Sequence, residues 1–204
     1  AEGLVAMMQT VPGVRKVAYA GSVRRGQETI GDLDILVTTD DPAAASEAFQ
    51  TQAGVTKILV AGDTKSSVRL EDGIQVDLRV VPGEVWGAAL LYFTGSKDHN
   101  VALRERAIGR GFRLNEYGLF PDDGESGPPQ QRGVTAIASV TEADIYQALD
   151  LPWIPPELRV DRGEFDLEVP EDLITVEAIR AELHSHTTAS DGRLTIDELA
   201  VAAR

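Results

Sequence analysis

The chain has 204 residues, 43% of them apolar and 25% charged, a composition that suits one ordinary globular domain or two small ones. It contains no cysteine, which excludes a disulfide framework and any thiolate metal site. No apolar run reaches the length of a membrane span and no signal peptide opens the chain, so a cytoplasmic protein is expected. The formal net charge of −14 speaks at first against nucleic acid. Its distribution changes that: residues 1–113 carry 13 Lys and Arg against 14 Asp and Glu, whereas residues 114–204 carry 6 against 19. The N-terminal part is therefore near neutral, with local basic clusters at Arg24 and Arg25 and from Lys97 to Arg113 that suit phosphate. The first residue is Ala1 rather than Met, which suits a fragment of a longer chain.

In chain order, residues 1–10 read as the end of a helix stopped by Pro12 and Gly13. "VRKVAYA" over 14–20 reads as a strand, and "GSVRRG" over 21–26 as a glycine turn opening a short helix. "DLDILV" comes next as a strand, and Pro42 opens a helix of good helix formers. "VTKILV" over 55–60 is a further strand, and Glu71, Asp72 and Gly73 mark a hairpin between "SSVRL" and "IQVDLRVV". From Glu84 the pattern turns helical, breaks at Thr94 and Gly95, and resumes over 97–110. "FRLNEYGLF" reads as a small hairpin and residues 121–133 as a loop. Thr141 caps a short helix, "LPWIPPELR" is rigid and proline-rich, and residues 160–181 read as an acidic linker with one helix at most. A last helix is expected from about Thr195.

The chemistry concentrates in the "DLDILV" strand. Side chains alternate along a strand, so Asp32 and Asp34 share one face while Leu33 and Ile35 occupy the other. The plain reading is a strand end frayed into solvent; the alternative is a metal site, because neighbouring carboxylates repel unless a cation lies between them. "IQVDLRVV" places Asp77 beside Arg79 on the polar face of a second strand. If the two strands are neighbours, three carboxylates converge, about the oxygen ligand set that a pair of Mg²⁺ ions takes alongside water and phosphate. Upstream, Gly21 allows close backbone approach, Ser22 offers a hydroxyl and an N–H at a helix start, and Arg25 offers a planar fork for phosphate.

Taken together and in order, "GSVRRGQETIGDLDILV", "VDLRVVP" and "LLYFTGSKDHNVALRERAIGRGFRLNEYGLF" resemble the DNA polymerase X family over roughly residues 10–160. "YFTGS" is the most specific element. The resemblance implies an α+β fold: a nucleotidyltransferase-type palm with a mixed sheet flanked by helices, then a small α+β thumb. It implies a palm over 1–92, with the end of a helical DNA-binding domain at 1–10, a nucleotide-selecting thumb over 93–157 and an acidic linker over 158–181. By the same resemblance Asp32 and Asp34 hold both Mg²⁺ ions, with Mn²⁺ a substitute. Asp77 holds the catalytic ion and Arg79 orients these carboxylates. Gly21, Ser22, Arg25 and Gly31 meet the triphosphate, Tyr92, Phe93 and Gly95 shape the sugar pocket, Asn100 reaches the base and Arg104 the template strand. Without the motif, Tyr92 and Phe93 read as core aromatics and Arg104 as a solvated helix charge. Lys97 stands where the beta-type pattern has an acid. The family also carries a cis peptide whose counterpart here is Gly95–Ser96.

"ELHSHTTASDG" brings His184, His186 and Asp191 close in sequence, and it contains two of the chain's three histidines. Alternating histidines on a strand share a face and suit metal ligation; two chance histidines in a solvated tail are the alternative. The stretch resembles the opening of a PHP (polymerase and histidinol phosphatase) domain over 182–204, with Glu182 in place of the more usual aspartate. A complete site of that kind holds Zn²⁺ or Mn²⁺ and assists phosphoester hydrolysis, including 3′-end processing. The residues present supply only part of it, so no nuclease activity is expected of them.

The function expected from the resemblance is template-directed addition of a deoxynucleotide to a primer 3′-hydroxyl in gap-filling repair. The partners are gapped or primed DNA and dNTP, the protein is a monomer, and it lies in the cytoplasm or at the bacterial nucleoid when on DNA. Two other readings stay open: a nucleotidyltransferase that works without a template, and a non-catalytic module that binds DNA ends.

Overall fold

Alternation of residue type makes β2 (Asp32–Thr39) two-faced: Leu33, Ile35 and Val37 are buried, whereas Asp32 and Asp34 are not. β5 (Gln75–Val80) repeats the pattern with Val76, Leu78 and Val80 inward and Gln75, Asp77 and Arg79 on the opposite face. The two strands are parallel neighbours at the centre of a five-stranded sheet ordered β1-β2-β5-β4-β3. The other strands, β1 (Val14–Tyr19), β3 (Val55–Val60) and β4 (Lys65–Leu70), pair antiparallel, so the sheet is mixed. The structure, a computed structural model, describes residues 1–166, 174, 178–180 and 184–202. Glu182, residues 167–173, 175–177 and 181 of the expected linker, and the last two residues lie outside them.

Helices α1 (Glu2–Gln9) and α3 (Pro42–Thr51) supply Met8, Ala45 and Phe49 to the core on the apolar face of this sheet. Asp41 caps α3 by accepting from the Ala44 N–H at 3.0 Å, and Pro42 at the first helical position needs no such partner. On the polar face lie α2 (Gly21–Arg24) and α4 (Trp86–Thr94).

A second core forms around α4, α5 (Lys97–Gly109), the β6–β7 hairpin (Phe112–Asn115, Gly118–Pro121) and α6 (Glu142–Ala148). It buries Leu91, Leu103, Leu119, Ile145, Tyr146 and Ile154. Gly87 of α4 lies against the backbone of Thr141, where a Cβ finds no room. That approach lets Gly87 and Ala88 donate their N–H groups to Val140 and Ser139 at 3.0 Å, satisfying first-turn donors of α4.

The segment expected to be a linker from residue 158 starts out packed instead. Arg159, Glu164 and Phe165 are buried, and Phe165 joins the second core. An acidic composition suggested solvation, but Arg159 is paired with Glu142 and Glu164 with His99. The chain divides into two compact units, Ala1–Val169 and Pro170–Arg204. In the second, Thr195 and Glu198 form a reciprocal cap at the start of α7 (Ile196–Ala202).

Candidate active site

In the parallel register of β2 and β5, Asp34 stands opposite Asp77, Asp32 opposite Gln75 and Leu36 opposite Arg79. The three carboxylates therefore share the polar face of the sheet. Asp34 is the most enclosed of them electrically. Burial, then Asp32, then Asp77, raise its pKa to about 6, with Arg79 and Arg25 working the other way. Asp77 turns one oxygen toward Gln75, which donates from Nε2 at 2.9 Å. Among the described residues no group of three or more His, Asp or Glu side chains is arranged to hold a metal ion as it stands.

The β1–α2 turn brings the phosphate-seeking residues to the same place. Ala20 donates its N–H to the Asp34 carbonyl at 2.8 Å, so the start of α2 is fixed to β2. Gly21 comes next with φ +61°, and its Cα faces the Asp34 carboxylate so closely that a Cβ would collide with Oδ2. Alanine at position 21 is therefore strained and displaces Asp34. We expect Gly21→Ala to lower the melting temperature by a few degrees while a cooperative thermal transition is retained, as read by calorimetry.

Gly21, Ser22, Arg25, Asp32 and Asp34 line one side of a cleft of about 360 Å³; Tyr92, Phe93, Thr94, Gly95, Lys97, Asn100 and Arg104 line the other. The second group comes from the end of α4 and the first two turns of α5. The Gly95–Ser96 peptide between these helices is cis. Gly95 has φ +67°, and Ser96 then caps α5 by accepting from the His99 N–H at 3.2 Å. Arg25 donates to the Thr94 carbonyl, tying the two walls of the cleft together. Burial lowers the Arg25 pKa, an effect Asp34 opposes and Arg159 adds to. Among the described residues its buried Nε has no hydrogen-bond partner, and neither has the Nε of Arg79. Arg79 also holds its guanidinium 5.0 Å from the Phe93 ring.

Tyr92 and Phe93 meet edge to face with centroids 5.2 Å apart, and Tyr92 is 40% exposed to the cleft side rather than packed away. Asn100 donates to the Tyr92 carbonyl at 2.8 Å, and Arg104 donates to the Asn100 carbonyl at 3.2 Å. Of the palm and thumb residues singled out from sequence, Gly31, Asp77 and Arg79 are not among those lining the cleft.

Behind the cleft lies a buried polar network that sequence reasoning missed. Arg24 donates to Thr94 Oγ1 at 2.6 Å and to both carboxylate oxygens of Glu142 at 2.7 and 2.8 Å. Arg159, fully buried, donates to Glu142 Oε1 at 2.8 Å and to the Ile154 carbonyl at 2.9 Å. Trp153 adds its indole N–H to Glu142 Oε2 at 3.2 Å. Burial alone would raise the Glu142 pKa, but the hydrogen bonds from Arg24 and Arg159 outweigh it and hold it at about 2. The adjacent Arg24 and Arg25 thus do different work: one is structural, the other faces the cleft.

In the second unit His186 Nδ1 is hydrogen-bonded to Asp191 Oδ1, and His184 Nε2 lies 2.9 Å from His186 Nε2. The three residues that the sequence groups are therefore neighbours, without forming a ready ligand set.

A mixed sheet whose parallel neighbours β2 and β5 carry three carboxylates on one face, two of them lining a cleft walled by arginine and a helical second layer, defines a nucleotidyltransferase-type palm joined to a thumb. Family comparison agrees: the DNA polymerase beta palm matches residues 2–89 and the DNA polymerase beta thumb residues 89–160. The chain belongs to this family, the X-family DNA polymerases. It is 38% identical over 190 residues to DNA polymerase/3′-5′ exonuclease PolX of Bacillus subtilis (strain 168), covering 92% of this chain and 32% of that protein. It is 30% identical to DNA polymerase lambda of Arabidopsis thaliana (74% of this chain, 33% of that protein). The same identity relates it to DNA polymerase lambda of Rattus norvegicus (72% and 29%). The chain thus spans about a third of the length of the curated relatives it matches.

Proposed function

We propose that this chain is the catalytic part of a DNA-directed DNA polymerase that adds a deoxynucleotide to a primer 3′-hydroxyl in gap-filling repair, as a monomer acting on DNA in the cytoplasm or nucleoid. The observation that carries this reading is the in-register pair Asp34–Asp77 beside Asp32 on one sheet face, with Asp32 and Asp34 lining a cleft whose other wall is the "YFTGS" segment and α5. The residues fit divalent cations: three carboxylates share a sheet face, where burial, Asp32 and Asp77 raise the pKa of Asp34, and Gly21, having no Cβ, lets the Asp34 carboxylate lie against its backbone. Asp32, Asp34 and Asp77 would hold two Mg²⁺ ions, with Mn²⁺ able to replace them. Bound there, the metal supplies charge neutralisation and a lower pKa for the primer hydroxyl.

The chain's own residues do the rest. Arg25 presents a guanidinium fork to the triphosphate and offsets charge on the departing pyrophosphate. Ser22 offers a hydroxyl to the same phosphates. Arg79 keeps positive charge behind Asp34 and is steadied by the face of Phe93. Tyr92, Phe93 and Gly95 bound the space for the sugar. Asn100 and Arg104 lie one helical turn apart, so both reach the base and template side from α5. Lys97 adds a positive charge at the cleft rim that the beta-type pattern lacks. The palm extends over 1–92 and the thumb over 93–157, with the acidic segment over 158–181 joining them to the start of a PHP domain over 182–204. His184, His186 and Asp191 belong to that domain's Zn²⁺ or Mn²⁺ site in the longer protein.

Primer extension on a one-nucleotide gap, with and without a templating base, tests this reading. Template-directed addition of the complementary dNTP is expected. Equal addition without a template would favour a template-free nucleotidyltransferase.

A further inference from the structure

Residues 161–166 come directly after the last residue matched by the thumb, and they close over the core face of α5. Three contacts hold them there. Glu164, 2% exposed, accepts at Oε1 from His99 Nδ1 at 2.7 Å. Phe165 stacks on the His99 ring with centroids 4.7 Å apart and planes at 12°. Arg106, two turns along α5 from His99, sets its guanidinium 4.0 Å from the Phe165 ring.

The strap is shaped for this purpose. Glu164 also accepts from the N–H groups of Asp161 and Arg162, each at 2.8 Å. Asp161 adopts φ +52° so that both N–H groups turn inward, a conformation L-residues rarely hold without such compensation. The other ring nitrogen of His99, Nε2, lies 2.8 Å from the Tyr146 hydroxyl of α6. Burial lowers the His99 pKa against the opposing effect of Glu164, a balance that favours the neutral ring. A neutral ring donates from Nδ1 to the carboxylate and accepts at Nε2 from the tyrosine. Both directions are thereby fixed, which an apolar side chain at position 99 cannot do.

The stripe of α5 that lines the cleft lies one residue on. Successive residues of a helix are about 100° apart. His99, Leu103 and Ala107 form the buried stripe of α5, and Asn100 and Arg104 form the next stripe, which lines the cleft. A rotation of α5 that alters the first stripe swings the second. We infer that Glu164 is a positioning residue for nucleotide selection: the strap sets the rotation of α5 about its axis, and with it the reach of Asn100 and Arg104. The consequence for selection rests on the polymerase reading above; the geometry does not.

Two measurements on Glu164→Ala test the inference. Amide hydrogen exchange of residues 100–104 should quicken at least about tenfold while that of β2 and β5 is unchanged. On gapped DNA, KM for the complementary dNTP should rise about tenfold, kcat should fall less than about twofold, and selection against a mispaired dNTP should weaken. Glu164→Gln, which keeps an acceptor for the two backbone N–H groups, should lie between. If Glu164→Ala does not fold, Glu164→Gln and Phe165→Leu give the same comparison at smaller amplitude. Unchanged exchange at residues 100–104 overturns the inference, as does faster exchange with KM and selectivity unaltered. The two failures are distinct: an unsubstituted chain that extends no primer strikes the polymerase reading, and exchange still decides whether Glu164 holds α5.

Discussion

Replacing Asp34 by asparagine is expected to abolish nucleotide addition, by at least about a thousandfold in kcat, and at the same time to stabilise the metal-free fold. On the two-metal reading proposed above, the loss comes from removing a charged oxygen ligand between Asp32 and Asp77. The gain comes from the same surroundings. With burial, Asp32 and Asp77 raising its pKa from 3.8 to about 6, the ionised Asp34 is less stable folded than unfolded. A carboxylate with a raised folded pKa takes stability away as pH rises through that interval. Between pH 4 and about pH 6 the wild-type chain should therefore lose stability that Asp34→Asn keeps. At pH 7.5 in EDTA the variant should be the more stable by about 1–2 kcal/mol, allowing for the solvent that reaches the side chain. Denaturant melts at the two pH values measure this. A variant that is inactive and also less stable at pH 7.5 would mark Asp34 as an ordinary structural residue. Functional sites commonly hold such unfavourable groups.

Glu142→Ala is expected to cost the fold more stability than Gly21→Ala or Glu164→Ala. It leaves Arg24 and Arg159 without their shared carboxylate, in a region where Glu142 is 7% and Arg159 0% exposed. Breaking a buried pair from one side costs about 3–5 kcal/mol, because the remaining charge stays buried. The melting temperature should fall by roughly 10 °C. The wild-type chain should show the same dependence through pH. The folded pKa of Glu142, about 2, is below the ordinary 4.5. Its contribution, about 3 kcal/mol, is then complete above pH 4.5 and is lost as pH falls toward 2. Melts from pH 6 to pH 2.5 should show a decline in wild type that is largely absent in Glu142→Ala. The effect should reach the cleft, because Arg24 also holds Thr94, beside the cis peptide.

Much of the palm was legible in residue type. The two-residue period of Leu33, Ile35 and Val37 against Asp32 and Asp34 puts those two carboxylates on one face of their strand, and the same period puts Asp77 on the polar face of its own; their convergence depends on the strands being neighbours. The helix break at Thr94 and Gly95 was equally plain, because Gly95 takes a positive φ and Ser96 caps the next helix. The parallel pairing of β2 with β5 was not legible, since β3 and β4 intervene and alternation carries no strand order. Nor were the buried polar groups. Arg24 and Glu142 are 118 residues apart, and His99 and Glu164 are 65 apart. A charged residue among acidic neighbours reads as solvated, and nothing local shows that its partner arrives from elsewhere. For that reason the stretch around Glu164 reads as a linker, and Arg24 does not stand out beside Arg25. Gln75 carries no local signal either, although it donates to Asp77 Oδ1.

Binding of dNTP is the most direct test of the central claim that Asp32, Asp34 and Asp77 form a metal-dependent nucleotide site with Arg25 beside them. Isothermal titration of dNTP into the folded chain should give saturable binding with Mg²⁺ or Mn²⁺, none in EDTA, and at least about tenfold weaker binding in Asp32→Ala. Binding that is equally tight in EDTA, or unaltered in Asp32→Ala, would contradict it.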